Sequence, residues 1–270
     1  MAKQIIITEE QFNKLLNEEL GISEEVSNKT LEVFSLLETV INTNKSIGEK
    51  NELFNYYNGS LTFDFLNCKV ICTVNCYNFF NKEYFDYSKF ESNGWSVYLN
   101  KNTCFMGVDV PMISGTVVKN VVIDTIQHEI EHLYQQIVAG KRFSNEEYYA
   151  TIATNINSND KIVKQVAKLI YGTIKSEQDG FVNGLYAFLM SSPGVFSMQS
   201  LYKSECWKLY SEMITIYNEL DDNQEMLNEF TKYKISKTKV RKSIDALLRK
   251  IGRVIIKVKQ DKIKKQGWRY

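Results

Sequence analysis

The chain of 270 residues is 44% hydrophobic and 13% aromatic, with only two prolines and thirteen glycines; this excludes a disordered or fibrous chain and supplies a core for one domain, or one domain with an appendage. No stretch of about eighteen apolar residues occurs, which excludes a membrane-spanning helix. The formal charge of +1 is segregated, because residues 231–270 carry fifteen Lys/Arg against Asp245 and Asp261, about +13, and leave the remainder near −12.

Met1-Ala-Lys-Gln-Ile-Ile-Ile-Thr-Glu-Glu ends its apolar run after three residues, unlike a signal peptide, so a soluble protein made in a cytosol is expected. Thr8 followed by Phe12, Leu15, Leu16 and Leu20, with Gly21 as a stop, predicts a short amphipathic helix over 8–20. Leu31, Phe34, Leu37 and Ile41 extend the same period from Val26 and predict a second. Strands are expected at about 61–66, 68–77 and 95–108, separated by an aromatic, Asn-rich loop over 78–94. Alternation puts Cys68, Val70, Cys72, Val74 and Cys76 on one strand face, so these cysteines read as small buried residues rather than a metal site. With Cys104 and Cys206 they make five, without a C-x-x-C pair, and reduced thiols are expected.

From Val117 the period becomes helical. Val118, Val122, Ile126, Ile130, Leu133 and Ile137 form an apolar stripe that ends at Gly140. Further helices are predicted at about 145–156, 160–171, 177–191, 199–220, 222–232 and 238–265. Strands first and helices afterwards argue for an α+β fold, divided into N-terminal helices (1–50), a compact central domain (51–195) and a helical C-terminal region with a basic tail (196–270).

The first long helix carries His128-Glu129-Ile130-Glu131-His132, and these are the only two histidines of the chain. Residues i and i+4 stand one turn apart on one face, so both imidazoles can reach a single zinc ion about 2.0 Å from each. Glu129 sits about 100° round the helix and can reach the attacking water without binding the metal. Zinc would polarise a scissile carbonyl and acidify water, with Glu129 as the general acid/base. The bland reading is a pair of surface histidines matched with Glu129 and Glu131 on a solvated helix.

Without a third histidine, the remaining protein ligand is expected to be a carboxylate. Asp160 reads as a helix cap, and Glu146 and Glu147 as first-turn acids favoured by the helix dipole. Ser176-Glu177-Gln178-Asp179-Gly180-Phe181-Val182-Asn183-Gly184 is the third region. There Ser176 and Asp179 have capping-box spacing, which leaves Glu177 free. Gly180 and Gly184, one turn apart, would let this helix approach the motif helix closely. Glu177 is therefore favoured as the third ligand and Asp179 is the next choice.

His128, Glu129 and His132 resemble the motif of the zincin metallopeptidases, and a Glu ligand on a later helix is similar to their gluzincin branch. The stretch from Glu177 through Leu189-Met190 to Pro193 loosely resembles the ligand-bearing segment of small peptidases that cleave phage and stress repressors. Gly180-Phe181 replaces an Ala-Asn pair there, and the forty-five residues from His132 to Glu177 are more than usual. The resemblance covers roughly residues 95–195. It implies a zincin-like domain of a small sheet, the motif helix and a later ligand-bearing helix, followed by a helical C-terminal part. It also implies a peptide or protein substrate, held by β-addition to an edge strand within 94–108, where Trp95, Tyr98 and Phe105 line subsites or pack the core. Tyr148, Tyr149 and Tyr186 are candidates for the oxyanion donor.

The N-terminal segment and the Lys/Asn/Ile-rich composition resemble proteins of large phages of gut bacteria, which would place the chain in a bacterial or phage-infected cytosol, or with a virion. Between Lys237 and Lys265, Val240, Ile244, Leu247, Leu248, Ile251, Ile255 and Val258 form an apolar stripe among Lys and Arg. The basic residues within 232–269 could meet nucleic acid or an anionic surface, or dock on the acidic body of the same chain. The alternative to a peptidase is a non-catalytic zincin-like structural or nucleic-acid-associated phage-particle protein.

Overall fold

The computed structural model describes residues 23–43, 54–80, 94–140, 146–194 and 196–265. The helix expected over 8–20 lies outside these residues. The expected helix after Val26 is α1, Glu24–Thr43. It is followed by β1 (Phe54–Phe65), β2 (Cys68–Phe79), β3 (Gly94–Asn100), β4 (Thr103–Ile113) and β5 (Thr116–Val117). Helices then run to the end as α2 (Lys119–Ala139), α3 (Glu146–Ile156), α4 (Lys161–Tyr171), α5 (Lys175–Ser191), α6 (Met198–Lys203), α7 (Glu205–Glu219), α8 (Gln224–Thr231) and α9 (Lys237–Lys265). The fold is mixed α+β, a small five-stranded sheet followed by helices.

Several expectations change in detail, the first being the strand expected at 61–66, which begins at Phe54. The segment expected as one strand over 95–108 is two antiparallel strands, β3 and β4, turning at Lys101-Asn102, where Asn102 N–H donates to Asn100 Oδ1 at 2.9 Å. The helix expected over 199–220 breaks at Ser204, whose extended backbone and hydroxyl cap α7 through Trp207 N–H.

The sheet order is β1-β2-β4-β3, with β5 pairing the far end of β4. β1 and β2 form a hairpin whose turn residues, Leu66 and Asn67, both have positive φ (50° and 63°), the handedness that matches strand twist. β2 and β4 run parallel, and β3 pairs antiparallel on the outer side of β4. Along β2 the predicted alternation holds, with Cys68, Val70, Cys72, Val74 and Cys76 all buried in one core with Leu61, Phe63, Met106 and Val108. All five cysteines are buried and free. Burial pushes the Cys72 thiol up to about 12, with the nearby Glu129 carboxylate adding to the effect, so it stays protonated.

α2 lies between two cores. Its Val122, Ile123, Ile126, Ile130 and Leu133 belong to one core with the sheet and with Val33 and Leu37 of α1, while Val121 belongs to the other, with α5, α7 and α9. Apolar contacts on both sides explain why the helix is buried continuously from Val121 to Leu133. It ends where predicted, because Gly140 takes the left-handed conformation (φ 65°) and its N–H bonds Ile137 O.

The basic C-terminal helix docks on the body. Val240, Ile244, Leu247, Ile251, Val254 and Val258 of α9 are buried in the same core as Val182, Leu185, Phe188 and Leu189 of α5, whereas Leu248 faces outward. Several of its lysines are engaged within the chain: Lys237 with Asp221, Lys250 with Asp179 at 2.6 Å, Lys257 with Asp261 at 2.8 Å, Lys262 with the carbonyls of Ser192 and Gly194, and Lys259 over the Phe196 ring. Arg241, Lys242, Arg249, Lys259, Lys264 and Lys265 remain exposed. No helix among the described residues is long and apolar enough to cross a membrane.

Candidate metal centre

α2 and α5 cross in close contact, and the sequence of α5 permits it. A Cβ on Gly180 would stand 2.9 Å from His128 Cε1, and one on Gly184 would run into the Asp124 carboxylate. Asp124 and His128 are one turn apart on α2, as Gly184 and Gly180 are on α5, so the two helices meet in a ladder whose next rung joins His132 to Glu177. His132 Nε2 lies 3.2 Å from Glu177 Oε2, and His128 Nε2 lies 3.6 Å from the same oxygen. The rings of His128 and His132 stand edge to face, 4.5 Å between centroids.

His128, His132 and Glu177 offer ligand atoms that all lie within 4.8 Å of one another, and all three side chains are buried. A tetrahedral ion about 2.0–2.1 Å from each donor would separate those donors by roughly 3.3 Å. The 3.2 and 3.6 Å separations bracket that value. The group could therefore hold a metal ion. The alternative of two surface histidines is ruled out, since His128 is 8% and His132 6% exposed.

The electrostatics also ask for a cation. Burial alone would pull the His132 imidazole down, yet the charge and hydrogen bond of Glu177, with Glu129 and Glu131 nearby, lift it to about 9. For Glu177, burial pushes upward and is outweighed by the His132 charge and by hydrogen bonds to both imidazoles, so the carboxyl lies well below the usual range. Both shifts mark the space between His132 and Glu177 as one where positive charge is favoured.

The remaining residues sort cleanly. Glu129 is 5% exposed and lies against the first residue of the edge strand, where a Cβ on Gly94 would stand 2.6 Å from Glu129 Cγ and 2.8 Å from Thr125 Cγ2. Its charge acts on His132, Tyr171 and Cys72, so its carboxylate faces the site rather than solvent. Asp160 caps α4, accepting from Ile162 N–H at 2.8 Å and Val163 N–H at 3.1 Å. The side chains of Glu146 and Glu147 lie outside the described residues. Asp179 is turned away to Lys250, with Lys175 at 3.9 Å, and does not join the histidines.

The expected Ser176/Asp179 capping box does not form. α5 starts one residue before Ser176, with Ile174 at the cap position, and Ser176 Oγ pairs instead with the Tyr149 hydroxyl at 2.7 Å. Of the tyrosines expected near the site, Tyr186 donates to Asp261 at 2.8 Å and Tyr148 packs in the helical core. Tyr149 reaches the site's edge through Ser176.

Tyr171 was not anticipated. It ends α4, six residues before Glu177, and its hydroxyl donates to Glu177 Oε2. Its position at a helix end just before the ligand helix is the only sequence signal, and sixteen tyrosines dilute it. On β3, Tyr98 is a core residue and Trp95 is 47% exposed, while Phe105, which pairs with Val97 from β4, is half-buried.

Comparison with known protein families, with curated proteins and with solved structures finds no match for this chain.

Proposed function

We propose that this chain is a zinc-dependent peptidase in which His128, His132 and Glu177 hold the metal and Glu129 serves as general acid/base. The observation that carries the reading is the convergence of both histidines and a carboxylate forty-five residues away on one buried point, with the intervening Glu129 buried beside it. Two imidazoles and one carboxylate form a donor set suited to catalytic zinc, since three protein ligands leave a coordination position open. Zinc bound there supplies Lewis acidity toward a carbonyl and activates water at neutral pH.

The residues of the chain supply the rest. Glu129 takes a proton from the attacking water as the new carbon–oxygen bond forms, then passes it to the amide nitrogen as the carbon–nitrogen bond breaks. Gly94 leaves room for that carboxylate at the start of the edge strand. β3 offers a backbone on which an extended peptide can pair, and further along the strand Tyr98 N–H is closed off by Gln136 Oε1 at 3.2 Å. A peptide seated on Gly94 and Ser96 would pass beside Glu129. Of the expected relationships, that to the zincins, in the gluzincin arrangement, agrees best with this order of ligands.

The test uses zinc-loaded protein and a library of natural peptides read by mass spectrometry, with Glu129→Gln and chelator-treated wild type as controls. Cleavage by wild type alone is expected, with Glu129→Gln retaining one zinc. Equal cleavage by Glu129→Gln would refute the role of Glu129. A zinc-loaded wild type that cuts no peptide would favour the non-catalytic alternative.

A further inference from the structure

Glu177 is held by more than the two imidazoles. The oxygen that faces His128 Nε2 and His132 Nε2 is Oε2, and the Tyr171 hydroxyl donates to that same atom. A phenol is a hydrogen-bond donor at neutral pH, and a carboxylate oxygen can only accept from it. Its ring is fixed by apolar contact. Tyr171 stands edge to face with Phe181, 6.1 Å between centroids, and Phe181 stands edge to face with His128 at 4.6 Å.

The turn between Tyr171 and Glu177 is tied down from a distant part of the chain. Gln178 Nε2 donates to Gly172 O at 2.7 Å and also lies within 3.2 Å of Ser243 O and Oγ on α9. Ser243 Oγ donates in turn to Thr173 O at 3.3 Å. The phenol and the carboxylate are thus carried on one braced corner, and their separation does not depend on side-chain rotamers alone.

We propose that Tyr171 is a positioning residue for the metal: its hydroxyl holds the ligand oxygen of Glu177 in the direction of the two imidazoles. This rests on the metal reading above. Hydrogen bonds of this kind to metal ligands typically change affinity by about 10–100-fold when removed.

The experiment is a double-mutant cycle on the full-length protein, with zinc dissociation constants measured by competition with a chromophoric chelator for wild type, Tyr171→Phe, Glu177→Gln and the double variant. Tyr171→Phe is expected to weaken zinc binding by about 10–100-fold while leaving the melting temperature of the metal-free protein near that of wild type. Because the phenol acts through Glu177, the double variant should bind zinc no more weakly than Glu177→Gln. A Tyr171→Phe affinity within about twofold of wild type, or additive losses in the double variant, would overturn the proposal. The cycle remains decisive if Tyr171→Phe also lowers stability, since general loosening adds to the Glu177→Gln effect. Failure of wild type to bind zinc would instead remove the metal reading itself.

Discussion

The α-carbon of Gly180 rests against the imidazole of His128, so that a methyl group built there would meet Cε1 at 2.9 Å and Nδ1 at 3.0 Å. This contact sets how closely the ligand-bearing helix approaches the motif helix. Gly180→Ala is therefore expected to lose about 1–3 kcal/mol of stability through overpacking and to weaken zinc binding, because the ring and the helix must part. Chemical denaturation together with zinc titration measures both; a variant with wild-type zinc affinity would show that the spacing is not critical.

Gly94 stands in the same relation to Glu129. A side chain there would meet Glu129 Cγ at 2.6 Å and Oε1 at 2.7 Å, and also Thr125 on the neighbouring turn. Gly94→Ala should leave zinc content intact and lower peptide hydrolysis by about 100-fold, the scale of effect that an ångström of misplacement has on a catalytic group. Metal analysis and turnover on one preparation separate the two effects.

The metal-free protein should become less stable as pH rises above neutrality. His132 titrates at about 9 in the folded chain against 6.5 in its absence, so the stability it contributes is complete below pH 6.5 and is lost as pH rises to about 9. Glu131, raised to about 7 mainly by burial, contributes with the same sign between its ordinary 4.5 and 7. A zinc ion bound there would displace the His132 proton, so apparent zinc affinity should increase with pH over the same upper window. Thermal melts of the metal-free protein at pH 6, 7.5 and 9 check this; a melting temperature that rises toward pH 9 would contradict it.

The C-terminal helix is expected to be integral to the fold rather than a detachable tail. Leu247 is fully buried against the core that α5 shares, and Leu247→Ala should cost about 2–5 kcal/mol. Its neighbour Leu248 is exposed, and Leu248→Ala should change stability by no more than about 0.5 kcal/mol. Denaturant unfolding of the pair reads the difference; equal effects would mean that the helix is not docked.

Much of this site could be read from the chain because its features are local. The i, i+4 pairing of His128 and His132 needs only a helix, and the stripe from Val118 to Ile137 supplied that helix with a glycine stop. Gly180 and Gly184 announced a close helix crossing by their spacing, and Glu177 was favoured over Asp179 for a free carboxylate in that stretch. What occupies Asp179, however, is Lys250 from α9 and not a capping box. That partner is seventy-one residues away, and no local pattern announces it.

Tyr171 was missed for a similar reason, as its hydroxyl meets Glu177 only after the chain has turned between two helices. The strand break at Lys101-Asn102 had a visible signal in Asn100-Lys101-Asn102, which continuous apolar alternation on either side obscured. The docking of α9 is not legible in the sequence, because an amphipathic cationic stripe fits a protein core and an anionic surface equally well. Its outward Arg and Lys residues still leave the second contact available.

The proposed activity depends on one zinc ion held between two helical imidazoles and a single distant carboxylate. Anomalous diffraction at the zinc edge from crystals of the zinc-loaded full-length protein tests it directly. One strong peak is expected about 2.0–2.2 Å from His128 Nε2, His132 Nε2 and a Glu177 carboxylate oxygen. A peak elsewhere, on the cysteines of β2 or on Asp179, or none in fully loaded protein, would contradict it.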